Sequence, residues 1–303
     1  ETPELAHLFV ATGFNSIGIQ SAGGAGKVLA EWIVGGHPPM DLWDVDIRRM
    51  QPHQGKKEYL RARVSESLGL LYAMHWPYRQ YETARDVLHS PLHDRMKAKG
   101  ACFGETAGME RPNWFAPKGV EPAYAYSYKR QNWFPYAAAE HKAVREAVAL
   151  FDMTSFAKFR VVGRDAEAVL QRISANDVGG AAGRVVYTQW LNERGGIEAD
   201  LTVTRLSETE FLVVTAGATG RRDLGWLRRN LPETADAVAT DVSSSLAVLS
   251  VMGPNARALL AKVSGADLSN AAFPFATSRA ITIAGDTLRA SRITYVGELG
   301  WEL

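Results

Sequence analysis

At 303 residues, with 46% hydrophobic residues and a formal net charge of +1, the chain has the length for about two domains and the composition of an ordinary globular protein, which excludes disorder. A charge so near zero, without a basic block, gives no electrostatic pull toward nucleic acid or an anionic membrane, and no apolar run approaches the ~18 residues of a membrane span. The single cysteine, Cys102, excludes an internal disulfide and a cysteine-rich metal site, which fits a reducing compartment.

The first element is the strand-like run His7-Leu8-Phe9-Val10, followed by SAGGAGKVLAEW at residues 21–32, which has the look of a nucleotide signature. A Walker loop fails at both ends, because Ser21 stands in place of the first glycine and Val28 follows Lys27. A dinucleotide fingerprint counted from Gly24 and Gly26 fails at Leu29. What remains is a helix start in the small residues 21–26, then an apolar stripe of Val28, Leu29, Trp32 and Ile33, ended by Gly35-Gly36 and Pro38-Pro39. Its free N–H groups and positive dipole end would face whatever precedes Ala22. Residues 41–49 resemble the closing segment of an α/β domain. With no initiator Met, and with Glu302-Leu303 ending in an apolar stretch, the chain reads as an interior piece of a longer polypeptide.

Residues 51–131 are rich in Tyr, Trp, His, Pro and Arg, with a helix expected over 58–74 and an aromatic, turn-rich stretch over 109–134. A regular α+β pattern then begins: an amphipathic helix over 137–151, a strand over 156–162, and Asp165 as N-cap of a helix carrying Val169, Leu170 and Ile173. After a hairpin come a strand over 210–215, a helix over 255–263 opened by Gly253-Pro254, and strands near 280–284 and 288–295. No internal repeat is visible.

The hairpin YTQWLNERGGIEADLTVTRL, residues 187–206, carries the chemistry. A loop centred between Arg194 and Gly195 pairs Glu193 with Gly196, Gln189 with Asp200 and Tyr187 with Thr202. Tyr187, Gln189, Asp200 and Thr202 then share one face, and Trp190, Leu201 and Val203 take the other. An aspartate is disfavoured in a strand, so Asp200 is a candidate functional acid beside the plainer reading of a solvent-facing position. The second candidate is YVGELGWEL at 295–303, where Glu298 sits in a glycine-flanked turn between Tyr295 and Trp301, suited to accepting paired N–H donors from a flat heterocycle. The plainer reading there is a surface turn. No metal site is expected from the seven histidines: His89 and His93 are four apart, but Pro91 between them argues against a shared helix face. The aromatic residues of 114–134 lack a basic stripe, so they read as packing between domains rather than an RNA surface.

These motifs in order resemble the sarcosine and dimethylglycine dehydrogenase family, in which a flavin-dependent amine-oxidising module is fused to one similar to the glycine-cleavage aminomethyltransferase, or T-protein. ATGFNSIGIQSAGGAGKVLAEWI resembles the last flavin-contacting loop and helix; ERPNWF and KRQNWF resemble the joining region; FDMTSFAKF, the hairpin, VMGPNARALL and YVGELGWEL resemble successive folate-domain motifs. The resemblance implies an α+β chain in three parts: the C-terminal end of an FAD-dependent α/β oxidoreductase domain (1–50), a middle linking domain (51–131) and a truncated folate-binding domain (132–303). It places Gly13, Asn15, Ser16, Ile17, Gly18 and Ile19 against FAD, where a positive helix end would support negative charge on reduced flavin. It makes Asp200 the catalytic acid, and puts Tyr187, Thr202, Tyr295, Gly297, Glu298 and Leu299 around tetrahydrofolate.

The implied reaction is oxidation of dimethylglycine or sarcosine, with the one-carbon unit captured as 5,10-methylenetetrahydrofolate and electrons passed to an electron-transfer flavoprotein or oxygen. No nucleic acid, membrane or metal is implied, and the location is cytoplasmic in a bacterium or the mitochondrial matrix in a eukaryote. Two alternatives are a catalytically silent regulator like the pyruvate dehydrogenase phosphatase regulatory subunit and a folate-dependent aminomethyltransferase. Many T-proteins carry two adjacent acids where this chain has Ala199-Asp200, so a helper acid is absent.

Overall fold

The computed structural model describes residues 1–303 and is a mixed α+β structure. Residues 7–10 form no strand; Phe9 instead packs edge-on against Trp32, ring centroids 5.6 Å apart. Trp32 is the buried residue of helix α1 (Gly18–Gly35), which Gly36 closes in the left-handed conformation at φ 75°. The helix thus begins at Gly18, before the expected 21–26, and Gly23, Gly24 and Gly26 lie inside it. A Cβ at any of the three would meet nothing within 4 Å. Each glycine costs about 1 kcal/mol against alanine, and no packing within this chain requires it.

Helix α2 (Lys57–Leu70) starts near its expected place and stops four residues early. Helix α3 (His93–Ala98) leads into the hairpin β1 (Ala101–Thr106) and β2 (Met109–Phe115). Ala107 and Gly108 both have positive φ, 50° and 81°, as a two-residue type I′ turn requires. Pro112 conceals β2 in the sequence, since proline argues against a paired strand. A register shift beside Phe103 leaves room for it. Helix α4 (Phe134–Glu146) ends early as well, and the apolar residues expected to continue it form strand β3 (Ala149–Asp152).

Strand β4 (Ala157–Val162) and helix α5 (Ala166–Ile173) follow as expected. Asp165 occupies the N-cap position, yet its carboxylate accepts the Asp236 N–H at 2.8 Å rather than capping α5. Strands β5 (Val185–Leu191), β6 (Ile197–Arg205) and β7 (Glu210–Thr215) precede helix α6 (Gly220–Arg229), strand β8 (Val238–Asp241) and strand β9 (Leu249–Met252). Helix α7 (Ala256–Leu260), strands β10 (Thr277–Ile283) and β11 (Asp286–Arg292), and the short β12 (Gly300–Glu302) complete the chain.

Two five-stranded antiparallel sheets result, in the orders β5-β6-β7-β4-β8 and β10-β11-β12-β9-β3. Helices α5 and α6 bury Val169, Leu170, Ile173, Leu224 and Leu227 against one face of the first sheet, in a core of 18 residues. A smaller core of 8 residues, built on Phe273 and Trp301, underlies the second sheet. Helix α6 also seats the first 50 residues: Arg221 pairs with Glu4 and donates to the Met50 carbonyl, Arg229 pairs with Glu1 at 3.0 Å, and the Arg222 guanidinium lies 4.8 Å from the Trp43 ring centre.

Leu170 is fully buried at the centre of the larger core. Leu170→Ala should lower unfolding stability by about 2–5 kcal/mol, read from urea denaturation of the purified protein. A loss no larger than that of an exposed leucine would contradict this packing.

Candidate functional site

The β5–β6 hairpin sets the site. Its register pairs Tyr187 with Thr202 and Gln189 with Asp200, as the alternation of the sequence requires. The turn itself lies one residue away from the expected position. Asn192 N–H donates to the Gly196 carbonyl at 2.9 Å, and the Asn192 side-chain oxygen accepts the N–H groups of Arg194 and Gly196 at 3.0 and 2.9 Å. A bulge places Glu198 as the extra residue between the Leu191–Ile197 and Trp190–Ala199 pairs and brings the strands back into the expected register.

On the inner face Trp190, Leu201 and Val203 are buried in the 18-residue core. The outer face carries Tyr187, Gln189, Asp200 and Thr202, with Tyr187 60% exposed, Asp200 exposed and Thr202 half-buried. Gln189 Nε2 donates to Asp200 Oδ1 at 3.1 Å. The Asp200 carboxylate beside the Tyr187 hydroxyl, by hydrogen bond first, holds that phenol above its ordinary pKa, and the neighbouring Tyr295 acts in the same direction. Tyr187, Gln189 and Asp200 therefore come together on one open face of the first sheet, with Thr202 opposite Tyr187.

Tyr295, Gly297, Glu298 and Leu299 form the bend between β11 and β12, with Gly297 at φ 78°. The Leu299 carbonyl anchors the bend by accepting Gly253 N–H at 2.8 Å. The Glu298 carboxylate takes Arg145 Nη1 of α4 at 2.7 Å, so it already receives a planar N–H donor, though one that is two-thirds exposed (66%). An ion pair this open contributes little and exchanges readily.

Sequence reasoning paired Gln189 with Asp200, as the structure has them, but missed Arg145, which pairs with Glu298, and Lys158. Tyr187, Thr202, Val214 and Lys158 form one row across β5, β6, β7 and β4. Lys158 is only 1% exposed, and its Nζ donates to the Thr154 carbonyl at 2.9 Å. Burial brings its ammonium down to about 8, against the opposing pull of Asp241 and Asp152. No periodicity marks such a lysine, because it sits on the face that the pattern assigns to solvent. A cavity of about 450 Å³ lies between the middle segment and the first sheet, with His89, Thr154, Gly217, Asp241 and Ser243 among its walls; Asp200 and Glu298 are not among them.

The residues expected at flavin stand elsewhere, at the start of α1. Gly13 at φ 80° and Ser16 at φ 63° bend the chain into the helix, Ile17 holds the N-cap position with no side-chain cap, and Ile19 is 99% exposed. The first-turn N–H groups have no acceptor in the helix. The positive end therefore exists, displaced upstream to Gly18. As Pro91 led one to expect, His89 and His93 share no helix face, since His93 is the first residue of α3; the preceding turn nevertheless stacks the two rings with centroids 3.9 Å apart.

A family model described as the GCVT N-terminal domain matches residues 92–303, and one described as the FAD dependent oxidoreductase central domain matches residues 35–90. The chain is 48% identical, over its whole length, to a 4-methylaminobutanoate oxidase (formaldehyde-forming) of Paenarthrobacter nicotinovorans, covering 37% of that protein. It is 35% identical to the mitochondrial sarcosine dehydrogenase of Homo sapiens, with 100% of the chain and 37% of that protein covered. It is 33% identical to the mitochondrial pyruvate dehydrogenase phosphatase regulatory subunit of Mus musculus, with 100% of the chain and 35% of that protein covered. The chain thus spans little more than a third of the length of these curated relatives. Among solved structures, the glycine cleavage system aminomethyltransferase T of Bartonella henselae superposes with a TM-score of 0.57 at 25% identity, over 72% of this chain and 53% of that one.

Two measurements test the electrostatics of this face. Asp200→Asn removes the charge that raises the Tyr187 phenol, so the ultraviolet titration of that tyrosine should move to lower pH; an unmoved titration would separate the two side chains. For Lys158 the folded pKa lies below the unfolded one, so its contribution to stability rises with pH from about 8 to the unfolded value. Lys158→Met should therefore add about 1–3 kcal/mol at pH 7, with the gain shrinking above pH 8 in parallel denaturant melts.

Proposed function

Because the chain belongs to the GCVT N-terminal domain family and, with the FAD dependent oxidoreductase central domain before it, to the sarcosine and dimethylglycine dehydrogenase family, we propose that it is part of a flavin-dependent demethylase of N-methylated amino acids that passes the one-carbon unit to tetrahydrofolate. The proposed division is a flavin-domain end at 1–50, a linking domain at 51–131 and a folate domain from 132. The observation that supports the reading is the open face that carries Tyr187, Gln189 and Asp200, with Thr202 paired to Tyr187.

The residues present fit both groups. For the folate, exposed Tyr187, Tyr295 and Asp200 offer aromatic walls and a carboxylate, and Glu298 already holds a planar guanidinium. For the flavin, uncapped N–H groups at Gly18 and the tight bend at Gly13 and Ser16 offer one positively polarised wall. Bound flavin supplies a hydride acceptor for the N-methyl carbon, and bound tetrahydrofolate supplies the amine nucleophile that takes up the resulting one-carbon unit.

This chain's side chains would hold and orient. Gln189 fixes Asp200 Oδ1, which keeps the carboxylate turned along the face beside the Tyr187 hydroxyl. A carboxylate so placed can accept the proton released when an amine nitrogen forms its new bond. Glu298 would take the N–H edge of the pterin in place of Arg145, and Tyr187 and Tyr295 would flank the ring. With the two sites in one protein, a reactive one-carbon unit is captured before water takes it, which is an effect of proximity.

Dimethylglycine and sarcosine remain the proposed substrates of the family reading, and 4-methylaminobutanoate joins them on the name of the 48%-identical relative. That name also prints formaldehyde as a product, so the folate face sets the division between capture and release. Electrons would leave to an electron-transfer flavoprotein or to oxygen. No helix is long and apolar enough to cross a membrane, in keeping with the proposed cytoplasmic site in a bacterium or matrix site in a eukaryote.

In the full-length protein Asp200→Ala should leave amine-dependent flavin reduction within about twofold of wild type, while methylenetetrahydrofolate yield falls about 10²-fold or more and formaldehyde rises in its place. Unchanged folate product would remove the role assigned to Asp200. A flavin that no N-methylated amine reduces would instead favour a regulatory chain like the mouse relative.

A further inference from the structure

The connection between α2 and α3, residues 71–92, carries no helix or strand of its own, and connections of that kind longer than about 12–15 residues are uncommon outside functional loops. It is nevertheless fixed in place. Glu66 of α2 accepts the N–H groups of Glu82 and Thr83 at 2.8 and 2.9 Å, the Tyr126 hydroxyl accepts that of Gln80 at 2.9 Å, and the Trp76 ring centre lies 4.7 Å from that of Tyr128. Tyr78 is held at φ 60°, a left-handed conformation that a bulky residue rarely adopts and that recurs at ligand clamps.

This framework encloses a cavity of about 230 Å³, with Leu70, Met74, Trp76, Arg79 and Tyr81 among its walls and no residue of the folate face. Arg79 stands apart from its neighbours there. Arg63 and Arg85 are paired with Glu105 and Glu110, whereas Arg79 has no carboxylate partner and its Nε, shielded from solvent, donates to nothing. A shielded donor without an acceptor is costly in a folded protein. An acceptor brought into the cavity by a ligand would satisfy it.

The walls narrow what that ligand is. A single guanidinium suits one carboxylate, which it grips through two parallel N–H donors, better than it suits a polyanion. Leu70 and Met74 offer apolar contact. Tyr81 already carries the Arg63 guanidinium 4.0 Å from its ring centre, whereas no cation lies over Trp76, and an indole face is the strongest aromatic partner for a methylated ammonium. The volume falls below the about 300–1,000 Å³ of sites for drug-sized molecules, so the ligand is small.

We propose that this cavity binds a small N-methylated amino acid as its zwitterion, with the carboxylate on Arg79 and the methylated ammonium against Trp76. The carboxylate follows from the pocket itself, and the methylated amine rests on the function proposed above. The site recognises the substrate class on the linking segment, apart from the folate face.

The test titrates full-length protein with 4-(trimethylammonio)butanoate, followed by calorimetry and by the visible absorption of the flavin. The nitrogen of this probe has no lone pair with which to form an iminium, so hydride transfer does not consume it. The expected result is binding that leaves the flavin spectrum unchanged and weakens about tenfold or more in Arg79→Gln and in Trp76→Leu, with butanoate and tetramethylammonium each held less tightly than the probe. Arg79 has no partner to lose, so Arg79→Gln keeps the fold. Wild-type affinity in Arg79→Gln, heat that appears only together with a flavin shift, or butanoate bound as tightly as the probe would overturn the proposal. Flavin reduction by N-methylated amines, measured alongside, separates the two readings. Reduction without an Arg79 effect removes the pocket alone, and Arg79-dependent binding without reduction removes the demethylase reading alone.

Discussion

Side-chain alternation along β5 and β6 ties the core and the candidate site to one quantity, the register of a single hairpin. A slip of one residue would turn Trp190, Leu201 and Val203 to water and drive Tyr187, Asp200 and Thr202 into the core. Burial of each large apolar side chain is worth about 1.5–3 kcal/mol, and a buried unpaired carboxylate costs more. The register is thus held from below by packing, and the polar face above inherits its precision, with only the exposed Gln189–Asp200 hydrogen bond of its own. The turn contributes less than the pairing suggests: its Asn192 network and the bulge at Glu198 offset one another, and the strands beyond them keep the spacing that the core demands.

The two carboxylates of this face differ in how they are held. Asp200 is fixed by a neutral amide from its own sheet, Gln189, and remains exposed. Glu298 is held by a long arginine from another element, and an exposed guanidinium is easily given up to a better planar donor. Lys158, in the same row as Thr202, is the opposite case: it is so enclosed that its charge is partly suppressed near neutrality. The sheet thus carries an exposed carboxylate on β6 and an enclosed ammonium on β4 on the same face.

Local pattern made most of the first sheet legible. Strand β7, helix α5 and the hairpin register follow from alternation and helical spacing alone. What was illegible depended on partners distant in the chain. Residues 149–152 continue the apolar period of α4, and only pairing with β9 turns them into a strand. Helix α6 reads as a charged stretch until Leu224 and Leu227 are seen beneath it and Glu1, Glu4 and Trp43 above it. Pro112 hid β2 because a bulge is invisible to propensity. The stacked histidines were missed for a related reason: helix spacing was the wrong test for residues joined by a turn.

In the proposed two-site protein, a stiff segment between the sites would help capture of a short-lived intermediate. The middle of the chain carries two enclosed carboxylate–guanidinium pairs, Glu105–Arg63 at 2.7 Å and Glu110–Arg85, and a third, Asp46–Arg48 at 2.6 Å, lies just before it. Burial alone would raise Asp46 and Glu110, yet the arginine forks hold both below the usual carboxylate range. Such pairs add little net stability, because desolvation offsets most of their attraction, but breaking one leaves a buried charge without a partner. Their effect is directional: few alternative geometries satisfy them. Glu110 carries this furthest, since one carboxylate engages Arg85 and the Asp86 backbone while its strand pairs with β1. The same buried carboxylate thus ties strand β2 to the loop at Arg85 and Asp86 and restricts how the two can move apart.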